Sequence, residues 1–232
     1  MRGWWRELSS LVLPTECAGC GGAREVLCEP CRALLRAGPA RRVRPVPEPA
    51  GLPPVYAAVR YADQGRAVLL AHKERGALML AGPLGRALAL SVRAACVQGP
   101  QAAAPGRVLG LVPVPSARAA VARRGHDPVR RIALAAAGWL RREGLAVRVR
   151  PVLRQRRPVA DQAGLGARQR AVNLAGALAV RPGALAAGEP VVLVDDLVTT
   201  GASLAEAARA LREAGGLPLG AAVVAGPSNG WF

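Results

Sequence analysis

The stretch from Val191 to Ser203, VVLVDDLVTTGAS, narrows the folds open to this chain more than any other feature. Val191, Val192, Leu193 and Val194 form an unbroken apolar run, which suits a strand buried on both faces of a sheet. Asp195 and Asp196 stand where such a strand would end. Thr199, Thr200, Gly201 and Ser203 then make a short loop of hydroxyls and glycine. A helix follows at once, LAEAARALREA, with Leu204, Ala208, Leu211 and Ala214 on one face. Gly215-Gly216 can end it in a left-handed cap. Without any ligand, Ser203 and Glu206 read as a capping box.

The order of these pieces has a chemical use. A glycine turn at a helix N-terminus offers free backbone N–H groups and the positive end of the helix dipole, which suits a phosphate. The Thr199 and Thr200 hydroxyls add donors. Two adjacent carboxylates repel phosphate, so their natural partners are vicinal hydroxyls and a divalent metal. An acidic pair beside a phosphate cradle describes a ribose 5-phosphate site.

At 232 residues, with just over half of them hydrophobic, the chain has material for one ordinary domain and a small appendage. No run of about 18 uncharged apolar residues occurs, so no membrane span is expected. The net charge of +17 attracts anions, phosphorylated small molecules and nucleic acid alike. Near the start, Glu7 interrupts a short apolar run, which argues against a signal peptide and for a cytoplasmic location. Trp4, Trp5, Leu8, Leu11 and Val12 instead fit one side of an amphipathic helix.

Cys17, Cys20, Cys28 and Cys31 form two C-x2-C knuckles seven residues apart, spacing that can give one tetrahedral Zn²⁺ four thiolates. Two disulfides or one redox pair are the alternatives. Disulfides do not suit a chain without an export signal, and the doubled motif does not suit a single redox pair. Four sulfur ligands leave no open position, so such a zinc is structural. The proline-rich residues 37–54 read as an extended linker, with a boundary near residue 50.

Beyond it, residues 56–61 suit a strand, and residues 64–74 and 83–97 suit helices. His72 reads as structural or exposed. Val108 to Val114 is a second buried-strand run, followed by a loop with Ser116, Arg118, Arg123, Arg124 and Gly125. Asp127-Pro128 supplies an N-cap and first-turn proline for a helix that Gly144 ends. Residues 147–152 make a short strand. Residues 154–180 read as a basic, flexible run passing into a helix, with Gln162, Gly164, Leu165, Arg170 and Asn173 as a polar constellation that suits a flap or hood. Residues 217–224 are the final strand.

VDDxxTTG resembles the binding motif for phosphoribosyl pyrophosphate (PRPP) of type I phosphoribosyltransferases. With the CxxC-x7-CxxC ribbon, the LVPVP strand-turn with RRG, and QAGL with RxxN, the chain as a whole resembles the ComF (GntX-like) family of phosphoribosyltransferase-related proteins. The resemblance implies an α/β, type I phosphoribosyltransferase fold over residues 51–232, its mainly parallel central sheet flanked by helices. Residues 1–50 would hold the helix, zinc ribbon and linker. It further implies that Asp195 and Asp196 hold the ribose hydroxyls with Mg²⁺, and that Thr199, Thr200, Gly201 and Ser203 hold the 5′-phosphate. Lys73 with Gly76, Arg118, Arg124, Gln162, Arg170 and Asn173 match further substrate-side positions. His126, Asp127 and Pro128 depart from the family pattern, standing where it has Phe, Asn and Gln. Two functions follow from the resemblance: phosphoribosyl transfer, or a non-catalytic factor that binds single-stranded DNA and works with DNA-uptake machinery.

Overall fold

The computed structural model describes residues 16–22, 25–98, 107–159, 164, 166–228 and 231. The helix expected around Trp4 and Trp5 lies outside these residues. The strands are β1 (Arg41–Val43), β2 (Val55–Arg60), β3 (Leu109–Pro113), β4 (Val147–Val149), β5 (Leu153–Gln155), β6 (Leu178–Val180), β7 (Pro190–Leu197) and β8 (Leu217–Gly226). The helices are α1 (Glu29–Leu34), α2 (Asp63–Glu74), α3 (Ala81–Gln98), α4 (Arg118–Arg124), α5 (Pro128–Arg142), α6 (Ala167–Leu174) and α7 (Ala202–Glu213). Six strands form one sheet in the order β1-β2-β8-β7-β3-β4, parallel throughout except for β1 against β2. β5 and β6 pair antiparallel as a separate two-stranded sheet.

The apolar run in β7 explains the layering. Side chains alternate along a strand, so Val192 and Val194 enter one core with α2, α3 and α5, while Val191 and Leu193 enter another with α7. All four are fully buried, as a central parallel strand covered on both faces requires. The fold is therefore α/β, a mainly parallel sheet flanked by helices.

Helix α3 is the centrepiece of the first core. The stretch Leu78–Val97 is long and apolar enough to cross a membrane by length and composition alone. Here it is a core helix: Leu84, Ala87, Leu88, Val92 and Ala95 are fully buried. Gly85 lets it approach α5, because a Cβ there would stand 2.4 Å from the Ala135 Cβ and 2.8 Å from the Ala136 nitrogen. Gly85→Ala is expected to destabilise the fold by about 1–3 kcal/mol through this overlap. A urea midpoint equal to that of the wild type would contradict the close crossing.

Three sequence expectations change here. Part of the proline-rich linker is β1, an edge strand of the main sheet. Residues 118–124, expected as loop, form α4, because the alanines among the arginines favour helix; Gly125 ends it at φ 72°. The basic run that opens residues 154–180 is not wholly flexible: Arg154 and Gln155 belong to β5, which pairs with β6 across more than twenty residues. Glu206, buried on α7, anchors that hairpin by accepting the Leu178 N–H at 2.9 Å, while Arg209 bridges Glu206 and the Leu178 carbonyl. Burial alone would raise the Glu206 carboxyl, but these donors outweigh it and hold the carboxyl below its usual range. The N-cap of Asp127 for α5 forms as expected, its side chain accepting the Arg130 N–H at 3.0 Å.

Candidate functional site

From β3 the chain runs through α4 and α5 outward to β4. From β7 it runs through α7 in the opposite direction to β8. The crevice at the carboxyl ends of β3 and β7 is therefore the topological switch point, where open α/β sheets take ligands. Both of the sequence's informative loops end there.

Asp195 and Asp196 lie inside the last turn of pleat of β7 rather than after it, since Asp195 is still paired with Val223 and Leu197 with Ala225. Alternation sends Asp196 toward the face that carries α2. There the Lys73 Nζ lies 2.7 Å from Asp196 Oδ2. Asp196 is almost fully buried. Asp195 Oδ1 accepts the Asp196 N–H at 2.8 Å. Desolvation, and then the adjacent Asp196 carboxylate, push Asp195 well above the usual carboxylate range, against the opposing pull of Lys73. For Lys73, desolvation acts downward, but the attraction of Asp196 and Asp195 outweighs it and the ammonium is held more firmly protonated. The pair presents hard oxygen donors of the kind that Mg²⁺ takes.

The turn after β7 opens a helix, whose first N–H groups suit an anion. Gly201 is the N-cap of α7 at φ 75°, a conformation open to glycine. The first i→i−4 bond runs from the Ala205 N–H to the Gly201 carbonyl at 2.9 Å. The N–H groups of Ala202, Ser203 and Leu204 precede it and have no partner within the helix. Glu206 is committed to Leu178 and Arg209, so the capping box with Ser203 does not form. From α6, Arg170 donates to the Thr199 hydroxyl at 3.2 Å, and its buried Nε has no partner among the described residues. Asn173 lies three residues further on the same helix, half-buried.

The proline-rich segment closes over this turn. A Cβ on Gly201 would meet Leu52 at 3.0 Å and Pro45 and Pro49 at 3.2 Å. Arg212 of α7 donates to the Gly51 carbonyl at 2.9 Å, fixing the segment in place. What reads as a linker is a strap.

The expected arginine cradle divides. Arg118 is exposed at the start of α4 and lines two clefts, of about 330 and 360 Å³, against the β5–β6 hairpin. Arg154, Arg156, Arg157 and Arg181 line the same space. Arg124 does not stand free for an anion: its guanidinium forms a two-pronged ion pair with Glu74, with Nε 2.9 Å from Oε2. The sequence reading missed Glu74 because nothing local in HKERG marks an acid as spoken for. Gln162 lies outside the described residues.

His72 is fully buried and faces the only other histidine, His126, with ring centroids 5.6 Å apart. Desolvation lowers the His72 pKa, although the Ala77 and Pro128 carbonyls act against it. His126 thus makes a contact between α2 and the turn after α4.

At the other end of the described chain, the sulfurs of Cys17, Cys20, Cys28 and Cys31 all lie within 4.8 Å of one another. Cys17 to Cys28 is 3.5 Å and Cys20 to Cys28 is 3.6 Å. These approach the edge of a tetrahedron with 2.3 Å metal–sulfur bonds, about 3.8 Å, and far exceed a disulfide bond. The Gly19 and Cys28 N–H groups point at the Cys17 sulfur, at 3.4 and 3.3 Å. Burial raises that thiol, but the N–H donors outweigh it and bring it to about 6, whereas burial and then the neighbouring cysteines push the Cys31 thiol well up. The four cysteines can hold a metal ion.

No curated protein matches this chain. The family model described as the phosphoribosyl transferase domain matches residues 147–232, the segment that carries the hairpin, the acid pair, the glycine turn and α7.

Proposed function

We propose that the chain binds PRPP with Mg²⁺ at the crevice between β3 and β7 and transfers its phosphoribosyl group to an acceptor. The observation that carries this reading is the acid pair and the Gly201 turn side by side at the switch point, within the matched domain. Asp195 and Asp196 accept hydrogen bonds from the ribose 2′- and 3′-hydroxyls. Thr199, Thr200, Ser203 and the N–H groups at the start of α7 hold the 5′-phosphate. Arg170 steadies Thr199, with Asn173 beside it. Arg118 faces the pyrophosphate side. Bound Mg²⁺ would screen the pyrophosphate charge as the bond to the ribose breaks. The protein's share is positioning and charge, which such a reaction chiefly needs.

On this reading the chain is a ComF-family protein of the cytoplasm, with residues 1–50 as a zinc-bearing region and 51–232 as the transferase domain. Calorimetric titration of PRPP with Mg²⁺ tests it. Binding at about the micromolar level is expected, and no heat at millimolar PRPP would overturn the assignment.

A second reading is a non-catalytic factor that engages single-stranded DNA alongside uptake machinery. What favours it is a groove where Arg32, Arg36 and Arg86 surround Trp139, with Arg86 and Arg142 placed 4.8 and 5.1 Å from its ring centroid. Basic groups around an aromatic suit a strand's phosphates and bases. Its mark would be an affinity for oligonucleotides that falls steeply with salt.

A further inference from the structure

Of 32 basic residues in the chain, Lys73 is the one lysine, and it is the residue that meets the acid pair. Arginine would grip a carboxylate with two prongs. An ammonium on a flexible stem neutralises it from one point and leaves the remaining lone pairs open. That difference suits a site whose carboxylates must still accept hydroxyls.

The position of Lys73 is fixed from both sides. The carbonyl of His72, the residue before it, faces His126 Nε2 at 3.2 Å. Glu74, the residue after it, is held by Arg124. Arg124 and His126 flank Gly125, whose φ of 72° turns the chain so that both reach α2. Three consecutive residues thus bracket three others: Arg124, Gly125 and His126 on one side, His72, Lys73 and Glu74 on the other. The ring of His72 adds a contact to the Pro128 carbonyl at 3.4 Å, and this locks the end of α2 to the start of α5.

Two adjacent carboxylates repel, and a nearby cation offsets that repulsion and favours their accepting hydroxyl protons. We propose that Lys73 is the resident counter-cation of this pair, set in place by Arg124 through Glu74 and by His126 through His72, and that it lets the site bind a ribose 5-phosphate without divalent metal. The proposal rests on the ribose 5-phosphate reading of residues 195–203. It makes Arg124 and His126 positioning residues.

The test is calorimetric titration of ribose 5-phosphate into the full chain, once in EDTA and once in Mg²⁺. The wild type should bind in both. Lys73→Met should bind about tenfold or more weakly in EDTA, with most of the loss recovered in Mg²⁺. Lys73→Arg, which keeps the charge but grips the carboxylate with two prongs, should bind between the wild type and Lys73→Met in EDTA. His126→Ala should weaken the EDTA titration selectively, and His126→Gln, whose amide can still donate to the His72 carbonyl, should restore it. If the wild type binds only with Mg²⁺, or if Lys73→Met binds in EDTA as the wild type does, the lysine proposal is overturned and the pocket stands. Lys73→Arg as weak as Lys73→Met would equally overturn it. A wild type that binds ribose 5-phosphate under neither condition overturns the pocket reading itself.

Discussion

Asp195→Asn combined with Asp196→Asn is expected to abolish the thermal stabilisation that PRPP gives the wild type. Ligand at a hundred times its Kd stabilises by about 2.7 kcal/mol. For a chain of this size that is a rise of roughly 5–10 °C in Tm. The double variant should show none, because amides in those places offer the ribose hydroxyls weaker, neutral acceptors. Asp195→Asn alone should do something else to the free protein. Its carboxyl is pushed well above the usual range by desolvation and by Asp196. A carboxyl raised in the fold contributes stability below its unfolded pKa and loses it as pH rises toward and through the raised value, so the group costs stability on the alkaline side of its unfolded pKa. Asparagine removes that cost and keeps the Lys73–Asp196 pair, so Asp195→Asn should melt a few degrees above the wild type at pH 7, at roughly 2–4 °C per kcal/mol. The advantage should vanish in acid, where the wild-type carboxyl is neutral too. Scanning calorimetry across pH, with and without PRPP, checks both statements. A double variant that PRPP still stabilises would move the ligand elsewhere.

Removing metal from the cysteine cluster should have an even larger local effect. Purified protein is expected to carry one zinc per chain. Structural zinc contributes about 10–16 kcal/mol of apparent folding free energy in small zinc-binding peptides, comparable to or above the whole stability of an ordinary domain, about 5–15 kcal/mol. Among the described residues 16–22 and 25–37, Leu27 and Leu35 are the large fully buried side chains. Chelation, or Cys28→Ser with Cys31→Ser, should therefore release this segment. The effect should spread to α2, because Gly19 packs against Val68 as well as Cys31. A strong chelator should split one unfolding transition into two and weaken PRPP binding without touching the crevice. Metal analysis that finds iron, or no metal, would replace the zinc assignment.

Much of this was legible in the sequence, for physical reasons that differ by element. β7 and α7 could be read because a four-residue apolar run, an acid pair and a glycine turn are local signals. The N-cap at Asp127 and the ends at Gly144 and Gly215 were legible for the same reason, with φ of 85° and 78° at the two glycines. The cysteine spacing announced a cluster. What the sequence could not show were pairings across distance. β5 and β6 are three residues each, and no periodicity survives in so few. The commitment of Arg124 to Glu74, and of Glu206 to Leu178 and Arg209, depends on partners that only the fold brings near. Arg118 and Arg124 look alike in the sequence; burial against α2 separates them. The strap was misread because proline-rich composition says that a segment is extended, not whether it lies on something.

That strap has a consequence for how the chain could be divided. β1 occupies the outer edge of the sheet beside β2, and the prolines after it roof the Gly201 turn. A cut after residue 50 would remove both at once. β2 would then present a row of unpaired backbone groups to any second copy, the usual route to edge-to-edge aggregation. The amino-terminal part is therefore less a passenger than a selvedge: it finishes the cloth of the sheet at the side where it would otherwise fray.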